Sequence, residues 1–123
     1  MHDLTLYLPW APSINNYYMQ GRRSGRYISK KGRVFSDQAG DDIMEQADIS
    51  YFPLSMSLKI NVRLCTPDRR KRDLDNYIKP LFDAITHSGL WVDYSLVDYF
   101  AVKRGKICKK GKIIVQISTL DST

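Results

Sequence analysis

Between Met56 and Cys65 the chain alternates without a break. Met56, Leu58, Ile60, Val62 and Leu64 fall on one side, and Ser57, Lys59, Asn61, Arg63 and Cys65 on the other. A period of two marks a strand with one face against a core and one toward water. It predicts a strand over residues 55–65 and demands something amphipathic to cover its apolar face. Two segments answer. Phe35, Ala39, Ile43 and Ala47 recur every fourth residue, with Val34 and Met44 widening the stripe, which predicts a helix over 33–49. Gly40 weakens it by about 1 kcal/mol. Ile78, Leu81, Phe82 and Ile85 predict a second helix over 76–88. Asp75 is placed to cap its start, Gly89 to end it in a left-handed conformation, and Pro80 to remove one backbone hydrogen bond near its beginning.

Leu4, Leu6 and Leu8 alternate with Thr5 and Tyr7 as a first strand that Pro9 closes. Residues 9–25 read as a long loop, followed by a short strand over 26–29. Residues 97–107 and 112–119 alternate again and predict a terminal hairpin turning at Lys109-Lys110-Gly111. Adjacent strands and only two helices favour α+β: a small mixed or antiparallel sheet with two main helices, in a single domain over 1–123. A chain of 123 residues supports one core of this kind.

No apolar run approaches the length that spans a bilayer, and Met1-His2-Asp3 does not resemble the start of a signal peptide, so a cytoplasmic location is expected. Cys65 and Cys108 read as thiols within strands. No pairing of cysteines and histidines suits zinc, and His2 and His87 are isolated.

Charge says more. The net charge is +6, and all but Lys59 and Lys79 of the 19 lysines and arginines fall in three groups. These are Arg22 to Arg33, Arg63 with Arg69 to Arg72, and Lys103 to Lys112. Such groups bind polyphosphate by releasing counterions. An anionic membrane is the poorer fit, because none of the groups forms a basic amphipathic helix.

The second group runs into acids: Pro67-Asp68-Arg69-Arg70-Lys71-Arg72-Asp73-Leu74-Asp75-Asn76-Tyr77-Ile78-Lys79. In extended backbone Asp73 and Asp75 would point the same way, so both carboxylates could converge on one hard divalent cation. Asn76 adds a neutral oxygen or an amide donor. Lys79 lies one helical turn beyond Asp75, placed to hold a phosphate or steady charge on a leaving oxygen. Asp75 as a simple cap, Asp73 paired to an arginine and Lys79 in solvent is the bland alternative. Asp93 and Asp98 could fold back toward the pair. Asp83 faces away from Ile78 and Phe82 and reads as solvated, and Trp91 reads as core.

This segment, followed by Phe82-Asp83-Ala84 and Gly89-Leu90-Trp91-Val92-Asp93, resembles the RusA-type Holliday junction resolvases. Leu8-Pro9-Trp10, Pro12-Ser13 and Tyr17-Tyr18 resemble that family's N-terminal motif, so the likeness covers nearly the whole chain. It implies a homodimeric α+β endonuclease, often encoded by phages. Such an enzyme nicks four-way junctions symmetrically with magnesium, for which manganese can substitute. Carried over by position, Asp73 and Asp75 become metal-binding catalytic carboxylates and Lys79 the catalytic lysine. From their charge, Arg69, Arg70, Lys71, Arg72, Lys103 and Arg104 are expected to contact DNA, together with Asn76 and Asn15.

One departure stands out. The family shows two aspartates after the tryptophan, the second catalytic, whereas this chain reads Asp93-Tyr94. Asp93 is the favoured third metal ligand, and Asp98 is the other candidate. Otherwise Tyr94 leaves a branched-DNA-binding protein with weakened or absent cleavage. A more distant rival, an RNA-binding or ribonuclease role, would stack bases on Tyr17, Tyr18 or Tyr27.

Overall fold

The computed structural model describes residues 3–23 and 25–120. Along the chain come β1 (Leu4–Pro9), a one-turn helix α1 (Ile14–Tyr17), β2 (Tyr18–Gln20), β3 (Arg26–Ile28), α2 (Lys30–Gln46), β4 (Leu58–Cys65), α3 (Ile78–Ser88), β5 (Val97–Arg104) and β6 (Lys112–Thr119). Single 3-10 turns precede α3, at Leu74–Tyr77, and β5, at Tyr94–Leu96. The main sheet is mixed, ordered β1-β6-β4-β5, and β2 and β3 form a separate two-stranded ribbon. This is the expected α+β architecture, with two main helices.

The strand predicted from its alternation is central. Its inward residues Leu58, Ile60, Val62 and Leu64 are buried, and they meet Ile113, Val115 and Ile117 of β6, which in turn meet Leu6 and Leu8 of β1. α2 and α3 pack on each other, and α2 on β1, over this one apolar face. Each such aliphatic side chain contributes about 1.5–3 kcal/mol on burial. Met56 lies before the strand and is exposed, and Cys65 is buried rather than on the wet face.

The terminal hairpin is not formed. β5 and β6 do not pair with each other, because β4 lies between them, parallel to β5 and antiparallel to β6. β6 is thereby an inner strand, its buried Ile113-Val115-Ile117 row paired with β1 on one side and β4 on the other. The connection therefore crosses the end of β4. There Gly105 N–H donates to Leu64 O at 2.9 Å and Cys108 N–H to Thr66 O at 2.9 Å. A Cβ on Gly105 would stand 2.7 Å from both Arg63 Cγ and Cys65 Sγ, so only glycine passes. Gly111 then turns the chain at φ 71°, close under Trp10.

The helices also depart from their predicted bounds. α2 starts three residues early because Ser29 caps it, accepting from Gly32 N–H at 3.0 Å. Val34 and Met44 are exposed and do not widen its buried face. Asp75 does not cap α3, since it sits inside the preceding 3-10 turn. Pro80 is the third residue of α3, where a missing N–H has no helical partner to lose. Gly89 ends α3 at φ 87°, as expected. Trp91 is buried and donates from Nε1 to Thr86 Oγ1 at 2.6 Å. Part of the expected loop over 9–25 is ordered as α1 and β2. Cys65 and Cys108 are free thiols, and His2 lies outside the described residues.

Candidate nucleic-acid and metal site

The basic-acidic segment leaves the end of β4 and feeds into α3, and Asp68 organises its first half. Its carboxylate accepts from Arg70 N–H at 2.9 Å and from Arg72 Nη1 and Nη2 at 2.7 and 3.2 Å. Those contacts, the Arg72 guanidinium foremost, hold its carboxyl well below the usual carboxylate range. Arg72 is thereby drawn inward to 13% side-chain exposure, 5.9 Å from the Trp10 ring, while Arg70 remains 82% exposed. Arg104 Nη2 donates to Arg72 O at 2.6 Å, tying β5 to the segment. Trp10 stacks obliquely on Tyr77, ring centroids 4.8 Å apart, and so supports the turn that carries Asp75.

Two hollows flank this turn. One, of about 600 Å³, is lined by Arg69, Arg70, Lys71, Asp73 and Arg104 among others. The second, of about 410 Å³, is lined by Asp75, Lys79, Phe82, Tyr94 and Phe100, with aliphatic neighbours. The extended backbone expected at both Asp73 and Asp75 is corrected here. Asp73 is extended (φ −80°, ψ 124°) but Asp75 is in the 3-10 turn, where each residue rotates by about 120°. Asp73 borders the first hollow and Asp75 the second.

Lys79 is held from two sides. Its Nζ donates to Asp83 Oδ2 at 2.9 Å and to the Tyr18 hydroxyl at 3.4 Å, and lies 5.9 Å from the Tyr94 ring centre. Tyr18 in turn has the Arg26 guanidinium 4.1 Å from its ring centre. Asp83 is thus not a solvated bystander. Burial raises its carboxyl above the ordinary value even with the Lys79 ammonium beside it. Its spacing of four residues from Lys79 was the signal available in the sequence.

The remaining predicted residues divide. Asp93 is exposed at the start of the Tyr94–Leu96 turn and does not line the cleft of Asp75 and Lys79, whereas Tyr94 does. Asp98 accepts from the Ser57 hydroxyl just before β4 and does not line the cleft of Asp75 and Lys79. Lys103 points to the helix-free face of the sheet, with Tyr7, Asn61 and Arg63, so it does not join its neighbour Arg104 at the segment. Asn15 is exposed on α1, and Asn76 is half-buried, its N–H donating to Asp73 O at 3.2 Å. Tyr17 is buried against Phe35 and cannot stack a base.

Among the described residues no three His, Cys, Asp or Glu side chains stand close enough to form a metal-binding group. The donor chemistry nevertheless suits magnesium, which binds through one or two carboxylates and keeps several waters. Asp68, Asp83 and Asp98 are bonded to protein groups, while Asp73, Asp75 and Asp93 make no side-chain hydrogen bond or ion pair with described residues. The carboxylates that the sequence assigns to a cation are therefore among those without a protein partner in the described residues. Among the described residues no helix is long and apolar enough to cross a membrane.

The family model of endodeoxyribonuclease RusA matches residues 9–118. The chain belongs to the RusA family. It is 38% identical to the crossover junction endodeoxyribonuclease RusA of Escherichia coli strain K12, covering 98% of both chains. It is 39% identical, at the same coverage, to the protein of that name from Enterobacteria phage 82. The resemblance seen in the sequence is therefore established over the whole fold, including the phage connection.

Proposed function

We propose that this protein is a magnesium-dependent endonuclease that resolves four-way DNA junctions by paired, symmetric nicks. The observation carrying this reading is that Asp75 and Lys79, in a RusA-family chain, open onto one cleft beside an exposed basic segment. Arg69, Arg70 and Lys71 would contact phosphates, setting position without reading sequence. Asp75 and Asp73 would hold the cation, with manganese able to substitute. Bound there, it would lower the pKa of a water and polarise the phosphoryl group. Lys79, fixed by Asp83 and Tyr18, would meet the negative charge that grows on the phosphate oxygens. Water attacks phosphorus, the P–O3′ bond breaks, and the products are a 5′ phosphate and a 3′ hydroxyl that has taken up a proton. A two-fold homodimer would present two such clefts to the two-fold junction. A DNA substrate implies a cytoplasmic location.

The test is nicking of a synthetic four-way junction with magnesium, manganese and EDTA, for the wild type and Asp75→Asn. Metal-dependent paired nicks that disappear in Asp75→Asn, with binding intact, support the reading. Binding without nicking in either metal refutes it and favours the second reading, a junction-binding protein with weakened cleavage. That second reading rests on Tyr94, whose ring occupies the cleft at the position where the family carries an acid.

A further inference from the structure

The cleft holding Asp75 and Lys79 is charged at one end only. Its other wall is Tyr94 and Phe100, both exposed, flanking the buried ring of Phe82 at centroid distances of 6.0 and 5.5 Å. Val97 and Val102 extend that wall along β5. Phe100 lies on the helix side of the sheet, level with buried Ile60, but at the edge strand, where α3 reaches it through Phe82 and leaves half of it exposed. A half-exposed phenylalanine and tyrosine on a single apolar floor, next to an ammonium and a free carboxylate, match the polarity of a nucleotide. The phosphate belongs at the charged end, and the flat, largely apolar base at the aromatic end. At about 410 Å³ the cleft falls in the range of small-ligand sites.

We infer that this aromatic wall receives the unstacked base of a nucleotide adjoining the scissile phosphate, with Phe100 as its stacking platform and Tyr94 beside it. The inference rests on the nuclease reading and deepens it, because a base held there positions the phosphate over Asp75 and Lys79. Bases at a branch point have fewer stacking neighbours than those in a continuous duplex, so extracting one costs less. Stacking on an aromatic ring then repays part of that cost and tolerates different bases. Tyr94 gains a role here: where the family has an acid, this chain adds a second ring to the wall.

The experiment uses the full chain and four-way junctions carrying 2-aminopurine at one position at a time around the branch point, bound in calcium so that binding is read without cleavage. The expected result is a fluorescence change confined to one nucleotide per symmetric arm. Phe100→Ala abolishes it and Phe100→Tyr retains it, while junction affinity changes less than about tenfold, the scale of one lost stack. No confined change in the wild type, or a change that survives Phe100→Ala, overturns the inference. Nicking in magnesium is measured separately on the wild type. If nicking fails while the confined change appears, the nuclease reading falls and the base site stands. If nicking proceeds without the change, the base site falls alone.

Discussion

Asp83→Asn separates the work Asp83 does for Lys79 from any work it does for the fold. The carboxylate lies 2.9 Å from Lys79 Nζ at 23% side-chain exposure. A pair of this i, i+4 kind contributes only about 0.3–0.5 kcal/mol when exposed, and the partial burial that raises the Asp83 carboxyl acts against it. The sign follows from that raised value. The folded state keeps its proton to higher pH than the unfolded chain, so wild-type stability falls as pH rises from the ordinary 3.8 through the folded value. Asparagine, of the same shape, removes this dependence. At neutral pH the variant should melt within a few degrees of wild type, or slightly above it.

The effect on rate should be larger. Freeing a lysine side chain restores up to about 2 kcal/mol of rotamer entropy, which caps the loss near 30-fold. The Tyr18 hydroxyl at 3.4 Å still restrains Nζ, so a loss of about tenfold is expected. Single-turnover nicking of a four-way junction at saturating enzyme measures it, alongside junction affinity and thermal melts at low and neutral pH. Asp83→Glu should recover part of the rate. An unchanged rate refutes the reasoning, as does a loss of rate matched by loss of melting temperature.

Tyr94→Asp restores an acid to the cleft, and magnesium-dependent nicking should rise at least severalfold; no gain would show that Asp73 and Asp75 suffice. Arg70→Ala should reduce the slope of log affinity against log salt by about one while leaving the positions of the nicks unchanged, as read by titrations at several salt concentrations. Gly111→Ala sets a side chain at φ 71° and 2.9 Å from Trp10, and should cost about 1–2 kcal/mol or more in chemical denaturation. Ile85→Ala, at a fully buried position in α3, should cost about 2–5 kcal/mol in the same assay without altering the metal requirement of any residual nicking.

The sheet's central strand, the second helix with its Gly89 end and the nearness of Lys79 to Asp75 on one cleft were all legible, because each follows from local spacing. The partner of β6 was not. Alternation shows that a strand has an inside but not which strand lies beside it, and the close passage of Gly105 by Arg63 and Cys65 joins positions far apart in sequence. The sidedness of Lys103 was lost for a related reason: adjacent strand residues face opposite ways, so a run of charge cannot be assigned to one surface. Asp73 and Asp75 were read on one extended backbone, whereas a 3-10 turn begins between them. Asp83 could have been found from its distance to Lys79, but the Tyr18 hydroxyl that shares Lys79 with it arrives from far earlier in the chain.

Trp10 leans on Tyr77, borders Gly111 and has the Arg72 guanidinium nearby, whereas Trp91 is sealed in the core. These are the chain's two indoles. One is therefore an optical gauge seated against the turn that bears Asp75, and the other is an internal constant. Replacing Trp91 with phenylalanine would leave a protein whose ultraviolet emission follows that turn directly, in real time and without a label, as divalent ions or DNA are added.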